Sequence, residues 1–219
     1  MKKSEISFAF YVSGGAGRLL KLLETNSIVI NDTTLIVNDN APNDALESLL
    51  MKRGIKYIGV NYMDLGLVSN EKNSHISKML LEEFRECEID YCFCFGSRIL
   101  KGDLLSVYKN KIINFHPSVL PMFPGVKSID QALDKNAPIL GNTAHFIDEG
   151  TDTGPIIMQS IVHNKNYTNY EGILDLQIPM LEQIYHWIID KRLSVIDNKV
   201  MIKGADYKQI IFYPKLEIN

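Results

Sequence analysis

Ile6-Ser7-Phe8-Ala9-Phe10-Tyr11-Val12-Ser13-Gly14-Gly15-Ala16-Gly17-Arg18-Leu19-Leu20-Lys21-Leu22-Leu23 is the stretch that sets the fold class. Its first part, to Val12, is short, apolar and aromatic-rich, the pattern of a strand buried on both faces. Gly14 to Gly17 then make a tight turn, and Leu19, Leu22 and Leu23 fall on one face of a helix. A strand entering a helix through glycines is how a β-α-β unit begins. The same alternation continues down the chain. Strands are expected at residues 34–37, 56–60, 89–95 and 111–115, with helices at 43–53 and 70–87. Asn43 reads as an N-cap and Gly54 as a terminator. This order predicts an α/β fold, a Rossmann-like and mostly parallel sheet with helices on both faces.

After Pro117 the pattern changes. A short helix is expected at 128–134, longer alternating strands at 140–147 and 155–163, and one long helix at 169–192 carrying Trp187. A hairpin around Asp197-Asn198 fits residues 195–202, and 210–213 could add an edge strand. With no repeat, low-complexity tract or linker, the chain reads as one domain, 1–219, with 193–219 a small C-terminal β-hairpin extension. Its 219 residues, 46% hydrophobic, suffice for a buried core, and a net charge of -3 with scattered Lys and Arg gives no footprint for nucleic acid. The apolar run after Lys2-Lys3 is too short for a membrane span. Cys87, Cys92 and Cys94 form no disulfide framework, so a cytoplasmic protein is expected.

The glycine turn offers backbone N–H groups and a helix N-terminus to an anion. A ligand-free β–α turn wants glycine equally. Arg18 at the helix start opposes the helix dipole, and a bound anion would relieve that. The spacing is not G-x-G-x-x-G, which argues against a nicotinamide-dependent oxidoreductase.

A second stretch carries chemistry: Ile113-Asn114-Phe115-His116-Pro117-Ser118-Val119-Leu120-Pro121, followed by Gly141-Asn142-Thr143-Ala144-His145-Phe146 and Asp152-Thr153-Gly154-Pro155. Asn114 and His116 stand where a parallel strand ends, the edge at which open α/β sheets bind ligands. Alternation puts both side chains on one side. With Asp152 they supply a neutral donor, a titratable ring and a carboxylate, as amide-forming chemistry needs. The ordinary readings are a structural histidine and a solvated turn. Cys92 and Cys94 read as core residues, and Trp187 with Ile184 and Ile188 as a core stripe. His116, His145 and Asp152 lack metal-ligand spacing, so no metal is expected.

The Asn-x-His-Pro-Ser and Asp-x-Gly-Pro patterns resemble the formyltransferase family that uses 10-formyltetrahydrofolate, and within it the small glycinamide ribonucleotide (GAR) transformylase branch. The resemblance covers roughly residues 6–192. It implies the formyltransferase fold, a catalytic trio of Asn114, His116 and Asp152, and 10-formyltetrahydrofolate as co-substrate. It implies donor contacts at Arg98, Ile99, Leu100, Thr143, His145, Ile147 and Asp148, with the 147–152 loop closing over the pterin. Gly14, Gly15, Ala16, Gly17, Arg18 and Pro117 would face the acceptor. The chain departs from the family at that acceptor half. Ser13-Gly14-Gly15-Ala16-Gly17-Arg18 replaces the usual Ser-Gly-Asn-Gly-Ser-Asn. On the long helix, Ile178 and Leu181 stand where a Gln and a Glu are usual, and Glu182 is one residue off. The expected activity is N-formylation of a small primary amine, phosphorylated or nucleotide-linked. GAR is one acceptor and a nucleotide-linked amino sugar the other. Deformylases of 10-formyltetrahydrofolate share the trio but carry an extra N-terminal regulatory domain that these residues lack. A non-catalytic folate- or nucleotide-binding protein is the reading from another class. A membrane or nucleic-acid partner is not expected, and a homodimer and the role of the segment after Arg192 are left open.

Overall fold

The computed structural model describes residues 5–166 and 170–208. Seven strands form one sheet in the order β3-β2-β1-β4-β5-β6-β7. They are β1 (Phe8–Val12), β2 (Thr33–Asn38), β3 (Lys56–Gly59), β4 (Tyr91–Phe95), β5 (Ile112–His116), β6 (Ile139–Phe146) and β7 (Ile156–His163). The first five run parallel, while β5 with β6 and β6 with β7 pair antiparallel. Alternation along β1 shows how the sheet is filled. Phe8, Phe10 and Val12 enter one core with α1 (Gly17–Glu24), α2 (Ile28–Asn31), α3 (Asp44–Met51) and α8 (Gln177–Ile189). Ala9 and Tyr11 enter the other, with α4 (Ser69–Glu86) and α5 (Asp103–Val107). Cys92 and Cys94 lie in that second core, and Ile184 and Ile188 in the first.

The Asn43 side chain accepts from Leu46 N at 3.0 Å and caps α3. The helix α6 (Ser128–Asp134) lies where the sequence puts it. The expected long helix does not form as one piece. It is α7 (Tyr170–Asp175) and α8, broken at Leu176, and residue 169 lies outside the described residues. The reason is Pro179: it has no N–H to give Asp175, and its ring would crowd that carbonyl in a continuous helix. Both α2 and α5 are too short for a periodic signal, and the sequence reading missed them. The hairpin β8 (Leu193–Ile196) to β9 (Lys199–Ile202) turns on Asp197 and Asn198, whose φ of 50° and 60° suit a two-residue loop. The expected strand at 210–213 lies outside the described residues. Among the described residues, no helix is long and apolar enough to cross a membrane.

Candidate active site

The chain reverses from β4 outward across β5, and a cleft of about 500 Å³ opens at the C-terminal ends of β4 and β5. On β5, Ile113 and Phe115 point into the first core, so Asn114 and His116 share the opposite face. The antiparallel register then sets His145 directly across from Asn114, and Thr143 across from His116. Asn114 Nδ2 lies 3.2 Å from His145 Nε2. His145 Nδ1 is 2.9 Å from Phe146 O. With Nδ1 donating to that carbonyl, Nε2 faces both the Asn114 amide and the Asp152 carboxylate; it accepts from the amide in a neutral ring and donates to the carboxylate in a protonated one.

Asp152 joins from the loop after β6. Its Oδ2 is 3.3 Å from His116 Nδ1, and its Oδ1 is 3.6 Å from His145 Nε2. Its Oδ2 also accepts from Gly125 N at 2.7 Å. The loop is pulled tight against β6 at Gly154, where a Cβ would fall 1.8 Å from Phe146 O, so no other residue fits. Burial pushes the Asp152 carboxyl up, but its contacts with His145, the Gly125 N–H and His116 outweigh this and hold it below the usual carboxylate range. His116 Nε2 sits 2.9 Å from Phe123 O. Both ring nitrogens of His116 therefore face acceptors; a neutral ring has one N–H to give them, a protonated ring two.

Each residue expected at the site has a definite place. Asn114, His116 and Asp152 come together at the cleft, and Arg98, Ile99, Leu100, His145, Ile147, Asp148, Pro117 and Arg18 line it. Thr143 does not. It is fully buried, donates to Ser118 O at 2.7 Å and accepts from Leu120 N and Gln159 Nε2 at 2.9 Å each, so it braces the loop after Pro117. Gly14, Gly15, Ala16 and Gly17 also stay out of the cleft lining, and the turn they form is mostly exposed. Arg18 turns inward instead. Its guanidinium stacks on Phe95, 4.3 Å from the ring centroid, and donates to Phe95 O at 3.3 Å and to Gln177 Oε1. Glu182 faces elsewhere, bonding Ser27 Oγ at 2.7 Å, and Leu181 is core.

Two residues matter that sequence reasoning missed. Gln177, fully buried at the start of α8, reaches Arg18. The other is Asp39, just past β2. Its Oδ2 accepts from Tyr11 OH at 2.9 Å, Ser13 Oγ at 2.7 Å and Arg98 Nε at 2.9 Å. Ser13 Oγ accepts in turn from Ser97 N at 2.8 Å. Tyr11 packs so close to Gly96 that a Cβ there would lie 2.3 Å from its ring. A buried carboxylate two strands away thus fixes the 96–100 wall of the cleft. No local pattern announces it, because Asp39 sits in an ordinary Asn-Asp-Asn turn. Among the described residues, no group of His, Cys, Asp and Glu is arranged to hold a metal.

A seven-stranded sheet with an amide, two imidazoles and a carboxylate at its edge defines an α/β group-transfer scaffold, and the chain belongs to the formyl transferase family, whose model matches residues 10–174. It is 36% identical over 132 residues to phosphoribosylglycinamide formyltransferase of Bacillus subtilis, covering 60% of this chain and 67% of that protein. It is 30% identical over 165 residues to formyltetrahydrofolate deformylase of Haemophilus influenzae, covering 73% of this chain but 57% of that one. The chain thus spans little more than half the length of that relative. Among solved structures it resembles phosphoribosylglycinamide formyltransferase from Anaplasma phagocytophilum, with a TM-score of 0.73 and 26% identity over 94% of this chain and 97% of that one.

Proposed function

We propose that this protein transfers a formyl group from 10-formyltetrahydrofolate to the nitrogen of a small primary amine, as a GAR transformylase does. The observation that carries this reading is the contact of Asn114, His145, Asp152 and His116 in one cleft. The amine nitrogen bonds to the formyl carbon, and the bond from that carbon to the folate nitrogen breaks. The amine loses a proton and the folate nitrogen gains one. Asn114 keeps a second amide N–H free of its contact with His145, and that N–H meets the oxygen on which charge builds. One such donor contributes on the order of 10²- to 10³-fold in rate. Asp152, held ionised by its neighbours, orients His116 and takes the amine proton through water. His116 carries the proton toward the leaving nitrogen on releasing its Nε2 from Phe123 O. Arg98, Ile99, Leu100, His145, Ile147 and Asp148 form the donor side of the cleft, and Arg18 and Pro117 the acceptor side.

One observation favours a second acceptor. The glycine turn that would hold a remote phosphate contributes nothing to the cleft, while Arg18 does. A nucleotide-linked amino sugar fits that rearrangement as well as GAR. The test is incubation with 10-formyltetrahydrofolate and GAR, and separately with amino-sugar nucleotides, with product mass as readout. A gain of one formyl group on an amine supports transfer. Formate release with no formylated amine turns the reading to hydrolysis. Neither product would leave a binding protein.

A further inference from the structure

Three of the cations near the cleft or the helix that borders it have been handled differently. Arg98 is ion-paired to Asp39 and Lys21 to Asp175. Arg18 is mostly buried, yet among the described residues no carboxylate pairs with it. Its two partners are neutral oxygens, the Phe95 carbonyl and the Gln177 carboxamide. Gln177 is committed to that role. Its Nε2 donates to Asn142 Oδ1 at 2.7 Å and Phe115 O at 3.1 Å, which turns Oε1 outward to Arg18. Asn142 is fixed in turn by donating to Ile173 O at 2.9 Å. A chain of buried amides therefore holds one guanidinium against the cleft floor.

A structural role explains this poorly. Burying an unpaired charge is costly, and an apolar side chain would cover Phe95 without that cost. Burial does lower the Arg18 pKa, to about 10, which leaves it charged at neutral pH. A guanidinium has five N–H donors, and two are used here, so three remain for a ligand. The natural complement is an oxyanion, which guanidinium binds in a planar fork.

Position limits what that ligand is. Arg18 touches Phe95 at the end of β4, and Cys94 pairs in register with Asn114 on β5. Arg18 and Asn114 line the same cleft, which the glycine turn does not reach. We infer that Arg18 is an oxyanion subsite of the cleft that holds the reacting groups, and that the amine formylated here carries a carboxylate or phosphate that meets this guanidinium inside the cleft. The second half of this rests on the formyl-transfer reading above; the subsite itself does not. It places the anion on a side chain of the cleft wall and not on the exposed glycine turn.

The test uses the full chain with neither donor nor amine present. Inorganic phosphate and, separately, acetate are titrated at constant ionic strength while the arginine Nε–H resonances are followed. The expected result is a saturable shift of the Arg18 resonance, and the arm that moves it at lower concentration names the oxyanion. Calorimetry then compares variants. Arg18→Gln should weaken binding about 10- to 100-fold, the scale of a charge-assisted pair. Arg18→Lys, which keeps the charge and lessens any folding cost, should fall between. Lys21→Gln, one turn along on the exposed face, should bind as the wild type does. An unmoved Arg18 resonance in both arms, or equal affinity in Arg18→Lys and wild type, overturns the subsite. Transfer to amines would still stand then; conversely, failed transfer with intact anion binding sinks only the formyl-transfer reading.

Discussion

The two sides of the cleft treat charge in opposite ways. Where β5, β6 and the 96–100 segment meet, the charges that shape the site have internal partners: Asp152 faces two imidazoles and the Gly125 N–H, and Arg98 is tied to Asp39. On the α1 and α8 side, Arg18 is held by neutral amide oxygens. Internal pairing fixes geometry before any ligand arrives, as a reaction centre needs. A cation left to neutral partners keeps its strongest interaction for something outside the chain. The reacting side is therefore built for one chemistry, and the Arg18 side for whichever acceptor supplies the missing charge.

The comparison breaks most sharply at Asp152. Asp152→Asn should fold, as judged by circular dichroism, and lose on the order of 10³-fold in kcat, within the range for a general acid–base group. An unchanged rate would remove the carboxylate from the chemistry. Next is Asn114→Ala, expected to cost about 10²- to 10³-fold in kcat with little change in donor KM. A change in KM alone would make Asn114 a binding group. The third concerns pairing itself. Asp39→Asn keeps the Tyr11 and Ser13 contacts but strips Arg98 of its counter-charge. Because Arg98 is partly exposed, the loss in stability should fall at or below the low end of the ~3–5 kcal/mol for a broken buried pair. Donor KM should rise while kcat at saturation holds. Loss of stability with KM unmoved would make Asp39 structural only.

The smallest expected effect is on pH. The folded-state Asp152 carboxyl sits below its ordinary 3.8, so the folded protein binds that proton less tightly than the unfolded chain does. Its contribution to stability is complete above about pH 4 and is lost as pH falls through the lowered value. The stability difference between wild type and Asp152→Asn, from denaturant melts, should shrink as pH falls below about 4. A difference that does not shrink in acid would place the titrating carboxyl elsewhere.

Much of the reacting side was legible because it is local. Asn114 and His116 are two residues apart on a strand, so alternation alone puts them on one face. Asp152 was legible as a candidate from its Asp-x-Gly-Pro setting, though not its distance to either imidazole. The acceptor side, and the anchor of the 96–100 wall, were illegible for the opposite reason. The path from Arg18 to Gln177 crosses 159 residues of sequence, and that from Arg98 to Asp39 crosses 59. Neither end stands in a pattern that names its partner. The break at Leu176 is of another kind: Pro179 marks it locally, and the sequence reading passed over it.

By itself the sequence determined the sheet, the side of β5 that bears Asn114 and His116, and the kind of chemistry those groups allow. Short-range periodicity and turn preferences act within a few residues and need no fold to be read. Only the tertiary structure decided that His145 stands between Asn114 and Asp152, that Asp39 anchors the 96–100 wall, and that Arg18 points inward with no carboxylate partner among the described residues. Those outcomes depend on strand register and on which buried charges meet, quantities that exist only after distant segments have packed.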